Sequence, residues 1–302
     1  MPKKARVLAV SLFLAIVGIM CVALAMPKAH ALGGYTDYEA YDGDGWSMSA
    51  DGVLTIETNQ GWANCIRDGF KPEVRELVIG KDVTYFRLYH LPDDLPSLDF
   101  FDSYKVAGYD KNGEPYYEYN SSVDLLPLKI TVADGIQFFR VINGLLINLQ
   151  AAELVLSEMG VTDVVVPDGV KTITRGAFFE RELVSIRFPA SLERIGEYAF
   201  ARCENLIELK LPRSLMQLDR GAFSRCLSLR DVSLPDNLEV ITDYAFNACA
   251  LQQIEIPFQV TEIGFNAFFE CDQLQQVVLP DGLMRIEGGA FSGCNQLNSI
   301  NL

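Results

Sequence analysis

The chain has 302 residues, 49% of them apolar and 22% charged, which allows one or two domains with a sizeable core and differs from low-complexity disordered composition. Its formal net charge of −15 opposes binding to nucleic acid or to anionic lipid surfaces.

The N-terminus is separable. Lys3, Lys4 and Arg6 precede an uncharged apolar run from Val7 to Met26, and Ala29-His30-Ala31 offers a small-x-small cleavage site. This is the pattern of a secretory signal peptide over residues 1–31. At 20 residues the run is also long enough to span a bilayer as an uncleaved anchor. Cys21 follows Met20, where a lipidation box needs a small residue. Either way the basic residues hold the N-terminus inside and send the rest out. The chain therefore reads as secreted or cell-surface, with no membrane insertion beyond this segment. Cleavage would remove four basic residues and no acidic one, leaving about −19 and His90 as the only histidine.

Residues 32–72 read as a β-hairpin cap. "YDGDGW" at Tyr41 places Asp42 and Asp44 at the first spacing of a calcium loop. Trp46 then occupies the third ligand position and Val53 the closing one, so a glycine-rich turn is the better reading. Cys65 with His90 could form a nucleophile–base pair. Neither has a recognised motif around it, and they read as a packed residue and a loop residue. There is no G-x-S-x-G, H-E-x-x-H or phosphate-cradling P-loop motif. The expectation is a protein without catalytic residues, cofactor or metal.

Residues 73–163 read as degenerate repeats interrupted by an aromatic hairpin. "DFFDSYKVAGYDKNGEPYYEYN" has a turn signal at Asp110–Gly113 between β-prone flanks. Phe101, Tyr104, Tyr109, Tyr116, Tyr117 and Tyr119 crowd this stretch. Such side chains suit a sugar or protein surface; they would equally serve to pack the hairpin onto its neighbours.

From residue 164 to 302 the chain repeats. Ala-Phe recurs at Phe178, Phe200, Phe223, Phe246, Phe268 and Phe291, and Pro167, Pro189, Pro212, Pro235, Pro257 and Pro280 keep the same interval of 22 or 23 residues. "IELKL", "RDVSL", "QIEI" and "QVVL" alternate apolar and polar, as half-buried strands do. Each runs into a proline, which cannot donate to a ladder. Ala-Phe and the residues after it predict a tight helical turn on the way back. The two 22-residue units each lose a residue just before the strand, near Arg181 and Ala250. Stacked coils at roughly 4.8 Å would pair their strands into a parallel sheet and bury a column of phenylalanines.

The alternation points Ser185 and Arg187, Glu208 and Lys210, Asp231 and Ser233, Gln253 and Glu255, and Gln276 and Val278 away from the core. This strip would line the concave face, where solenoids commonly bind; Arg187, Glu208, Lys210, Asp231 and Glu255 are its charged candidates. A solvated strip with no ligand is the other reading. Cys203, Cys226, Cys249, Cys271 and Cys294 share one repeat position, held by Arg181 in the first unit. A residue that returns on a fixed period belongs to a wall, and buried cysteine packs as a small hydrophobe. Disulfides or a metal are the alternatives. Parallel side chains, an odd number in the row and the lack of any C-x-x-C argue against both.

Residues 164–302 resemble bacterial BspA-like leucine-rich repeat surface proteins, on "LPRSLMQLDRGAFSRCLSLRDVSLP" and its copies. The common leucine-rich pattern has Asn or Cys shortly after the strand; here Pro212 and Ser214 stand there. Looser similarity covers "GWSMSADGVLTIETNQGW" as a cap and the stretch from Phe138 as an inserted hairpin. The resemblance implies a β-rich, horseshoe-like solenoid with a parallel sheet on one face and short helical turns on the return path. It also implies adhesion to host or neighbouring-cell proteins, with a glycan as the alternative ligand. "NSINL" ends directly after a strand, so the sixth coil would leave an apolar face for self-association.

Overall fold

The computed structural model describes residues 41–43, 45–59, 74–83, 104–109, 115–119 and 129–301, with the main chain alone at 41–42, 104–109 and 115–119. The expected signal segment, Asp44, Cys65, His90 and Phe101 lie outside them. The chain divides into two compact units, residues 1–83 with 89–133, and residues 84–88 with 134–302.

In the first unit Tyr41–Gly43 pairs antiparallel with Trp46–Met48, Gly43 opposite Trp46. Gly45, at φ 78, supplies the left-handed conformation that tight hairpin connections need. Val53–Thr58 joins antiparallel; Glu76–Asp82 and Lys129–Val132 then add in parallel. Period-two alternation turns Leu54, Ile56, Leu77 and Ile79 inward, where they pack with Trp46 and Met48 as buried core. Tyr104–Tyr109 and Pro115–Tyr119 form an antiparallel hairpin whose register shifts between Val106 and Gly108.

The second unit begins with Phe139–Ile142, Leu145–Asn148 and Glu153–Ser157 in an antiparallel meander. Glu153 and Leu154 also pair in parallel with Thr172 and Ile173, which hands the meander over to a solenoid. Six coils follow, numbered here by their outer strands: Asp163–Val165, Ser185–Arg187, Glu208–Lys210, Asp231–Ser233, Gln253–Glu255 and Gln276–Val278. Each coil carries a second, two-residue strand, from Thr172–Ile173 in coil one to Arg285–Ile286 in coil six. Every pairing between coils is parallel and joins residues one repeat apart. A period of 22 or 23 residues places like on like at each rung, so one apolar position becomes one apolar column.

Proline ends the outer strand in the expected way. Its carbonyl accepts the N–H three residues on, as Pro189 from Leu192 and Pro212 from Leu215, turning the chain. Two residues after it, the Ser191 and Ser214 hydroxyls donate to the Val170 and Leu192 carbonyls one coil back, at 2.8 and 2.7 Å. Serine thereby satisfies backbone between coils at the position where Ser214 departs from the common leucine-rich pattern.

The return path differs from the helical turn read in the sequence: none of the described residues is helical. Its N–H groups alternate. Those of Ala177, Phe179 and Arg181 bond three residues back, whereas those of Gly176, Phe178 and Glu180 reach Glu197, Ala199 and Ala201 of the next coil. A helix would spend every N–H on its own turn. Left-handed residues aim alternate groups at the neighbour, two per coil, such as Tyr198 (φ 52) and Arg202 (φ 61). The missing residue of each short coil falls on one turn: Leu206, Leu229 and Leu274 donate back to the cysteine carbonyl three residues earlier, and coils one and four go straight into the strand.

The phenylalanines form the expected column. From Phe178 to Phe291 successive ring centroids lie 4.9, 5.1, 5.6, 5.6 and 5.3 Å apart, with planes within 10° of parallel. Phe178, Phe200, Phe223, Phe246 and Phe268 are wholly buried. Burial at that level is worth ~2–3 kcal/mol per ring, with offset stacking adding to it.

Candidate binding face

The cysteine column lies in the core beside the phenylalanines. All five described cysteines are free thiols. Each donates to the carbonyl of the phenylalanine one coil back: Cys203 to Phe178 at 3.0 Å, Cys226 to Phe200 and Cys249 to Phe223 at 3.2 Å, Cys271 to Phe246 and Cys294 to Phe268 at 3.1 Å. Burial pushes the Cys203 thiol up to about 12, and that of the half-buried Cys294 to about 11. The thiols of Cys226 and Cys271 are also raised, burial again being the main cause. A nucleophile needs the opposite shift, so these thiols are held in the inactive form. Arg181 holds the same position in coil one, where its guanidinium donates to the Ser157 carbonyl at 2.7 Å and to the Ser157 hydroxyl at 2.9 Å.

The strip on the outer strands is where alternation put it. Ser185, Arg187, Glu208, Lys210, Asp231, Ser233, Gln253, Glu255 and Gln276 are exposed, and Val278 is half-buried. The residue between each pair, such as Leu209 or Val232, is buried. Register brings the candidates together by coil. Val165 lies opposite Arg187, Glu208 opposite Asp231, Lys210 opposite Ser233, and Glu255 opposite Val278. At the coil-one end the Ser185 hydroxyl donates to Asp163 at 2.6 Å and Thr162 donates at 3.1 Å. These two bonds, Ser185 first, hold the Asp163 carboxyl below its ordinary range.

Over coils four to six the strip opens into a groove of about 820 Å³. The strand residues Asp231 and Glu255 form its floor, with Asp236, Phe258 and Asp281 contributed by the loops after the prolines. Phe258 is 67% exposed. The sequence reading passed over these three loop residues. Their signal was the residue after each proline, which is Asp, Ala, Arg, Asp, Phe and Asp along the six coils; a phenylalanine there is out of character for a polar loop.

In the hairpin of the first unit, Tyr104 is the register partner of Tyr119, Val106 of Tyr117, Gly108 of Tyr116 and Tyr109 of Pro115. On the sixth coil Phe291, Cys294 and Leu297 are only partly buried and Ile286 is exposed, whereas their counterparts Phe268, Cys271, Leu274 and Ile263 are buried. No three histidine, cysteine or acidic side chains among the described residues approach closely enough to hold a metal ion.

The model of the BspA-type leucine-rich repeat region matches in six copies over residues 155–275 and 239–302. A leucine-rich repeat protein of T. pallidum is similar in structure, at 27% identity and TM-score 0.48, covering 54% of this chain and 79% of that one. A leucine-rich repeat protein from Bacteroides ovatus is 30% identical with TM-score 0.46, covering 56% of this chain and 47% of its own. One from Eubacterium ventriosum reaches TM-score 0.48 at 16% identity over 82% of this chain and 92% of that chain. No curated protein matches. With its period, proline turns and inward cysteines, the array over residues 155–302 is a BspA-type leucine-rich repeat region.

Proposed function

We propose that this is a non-catalytic, secreted or cell-surface protein that binds another protein, as an adhesin does, through the outward face of its outer strands. One observation carries the reading. From Asp163 to Gln276 the coils present exposed, mostly polar side chains at repeat-equivalent positions. A rigid parallel frame holds them, so a partner would meet little ordering cost. The five described cysteines serve the wall, each donating to a carbonyl of the coil before, and burial raises the thiols of Cys203, Cys226, Cys271 and Cys294 away from the reactive form. The apolar run behind Lys3, Lys4 and Arg6 supports export.

The test is a binding screen of the protein against immobilised extracellular-matrix proteins and glycans, repeated with an Arg187→Ala, Glu208→Ala, Lys210→Ala variant and with a Tyr116→Ala, Tyr117→Ala variant. A saturable protein ligand lost in the first variant is the expected result. A ligand lost only in the second would move the site to the hairpin, and a glycan ligand there would replace the reading with a carbohydrate-binding one. Silence across the screen would refute it.

A further inference from the structure

Resting on that reading of the outer-strand face, we propose that the groove over coils four to six docks a cationic, extended polypeptide segment, with an Arg or Lys side chain laid on the Phe258 ring. Asp231, Asp236, Glu255 and Asp281 line the groove, and no Lys, Arg or His does. Elsewhere on the array carboxylates are neutralised by an adjacent coil: Glu193 by Lys171, Glu197 by Arg175, Asp219 by Arg194 and Glu180 by Arg202. Among the described residues, none of the four groove carboxylates has an ion pair or a side-chain hydrogen bond.

A second observation points the same way. Glu208 and Asp231 are direct register partners on adjacent strands, and both are exposed. Like charges placed opposite each other destabilise a sheet. A position that breaks a local rule without structural compensation is where function is expected, and a bound cation would relieve this one. The third observation is the loop column. Asp236, Phe258 and Asp281 follow proline in three consecutive coils, so an exposed aromatic face stands between two carboxylates. Both kinds of group attract the same thing, since ring faces and carboxylates each favour a guanidinium or ammonium.

The occupant is a chain rather than a point ion. No three acidic side chains converge tightly enough to hold a metal among the described residues. At a coil spacing of ~4.8 Å the charges spread along roughly 10 Å, the reach of about three residues of extended peptide.

The test uses fluorescently labelled octa-arginine, with octaglutamate as its counterpart, titrated with the full chain near physiological salt and followed by anisotropy. Phe258→Ala and the pair Asp236→Asn, Asp281→Asn are each expected to weaken octa-arginine binding by about tenfold or more. Glu182→Gln with Glu204→Gln removes the same charge from exposed sites outside the groove, and should change binding by less than about twofold. Asp231→Asn should weaken binding while raising the urea midpoint, because it removes the opposition with Glu208; a merely structural residue would not separate the two. No binding of octa-arginine, intact binding in the groove variants, or equal loss in the control pair overturns the proposal. If a protein ligand from the screen is still captured when the groove variants are neutral, the groove assignment falls and the binding reading stands.

Discussion

The thiol of Cys226 donates to the main-chain carbonyl of Phe200, one coil back, at 3.2 Å. The same oxygen accepts the N–H of Cys203 from its own coil at 3.1 Å. Two cysteines thus use the two lone pairs of one buried carbonyl. A thiol suits the position because it fills apolar space and still supplies a weak donor. Alanine would lose both. Cys226→Ala is expected to cost about 1–2 kcal/mol in urea unfolding, combining lost burial with a lost hydrogen bond. No measurable loss would mean that the sulfur contributes nothing to the wall.

Stability should fall in alkali. An unfolded cysteine deprotonates near pH ~8.5, whereas Cys294 holds its proton to about 11 and Cys203 to about 12. Folded-state values are raised, so the native chain binds more protons than the unfolded one across that window. Stability is then complete below the unfolded value and declines as pH rises toward the folded values. Urea midpoints at rising pH should decrease in wild type, and Cys203→Ala should flatten the slope. A slope unchanged by that substitution would assign the alkaline loss to other groups.

The period, the phenylalanine column and the inward thiols could be read in the sequence because one residue type recurs at one rung. The outward strip followed from simple alternation. The return path could not be read this way. Ala-Phe is compatible with a helix, and nothing in Tyr198, Arg202, Tyr244 or Ala248 as residue types favours their positive φ. The next coil imposes it by accepting alternate N–H groups, and that partner lies 22 or 23 residues away. Phe258 escaped notice for a related reason. A single aromatic in a loop is ordinary, and it stands out only beside Asp236 and Asp281, which the stacking makes its neighbours.

Phe223 tests whether the column is one cooperative element. Its ring is wholly buried between Phe200 at 5.1 Å and Phe246 at 5.6 Å. Phe223→Ala removes two stacks together with the buried surface, so the expected loss is ~3–5 kcal/mol. In a solenoid each repeat is stabilised by its neighbours. Hydrogen exchange should therefore accelerate first in coils two to four, before the ends. Uniform acceleration along the array would show that the coils unfold as a single block instead.

Gly221 shows how tightly the coils meet. It sits at φ 61 on the return path, and a Cβ there would lie 2.3 Å from Cε1 of Tyr198 in the coil before. Two penalties should combine in Gly221→Ala: the left-handed backbone, and overlap with a ring that is itself mostly buried. Together they should cost about 2 kcal/mol or more. The two separate in a double-variant cycle. In a Tyr198→Ala background the overlap is gone, and Gly221→Ala should cost only about 1 kcal/mol, the backbone part alone. If the two substitutions proved additive, the ring would not be what excludes a side chain at this position, and the glycine would be required by its φ alone.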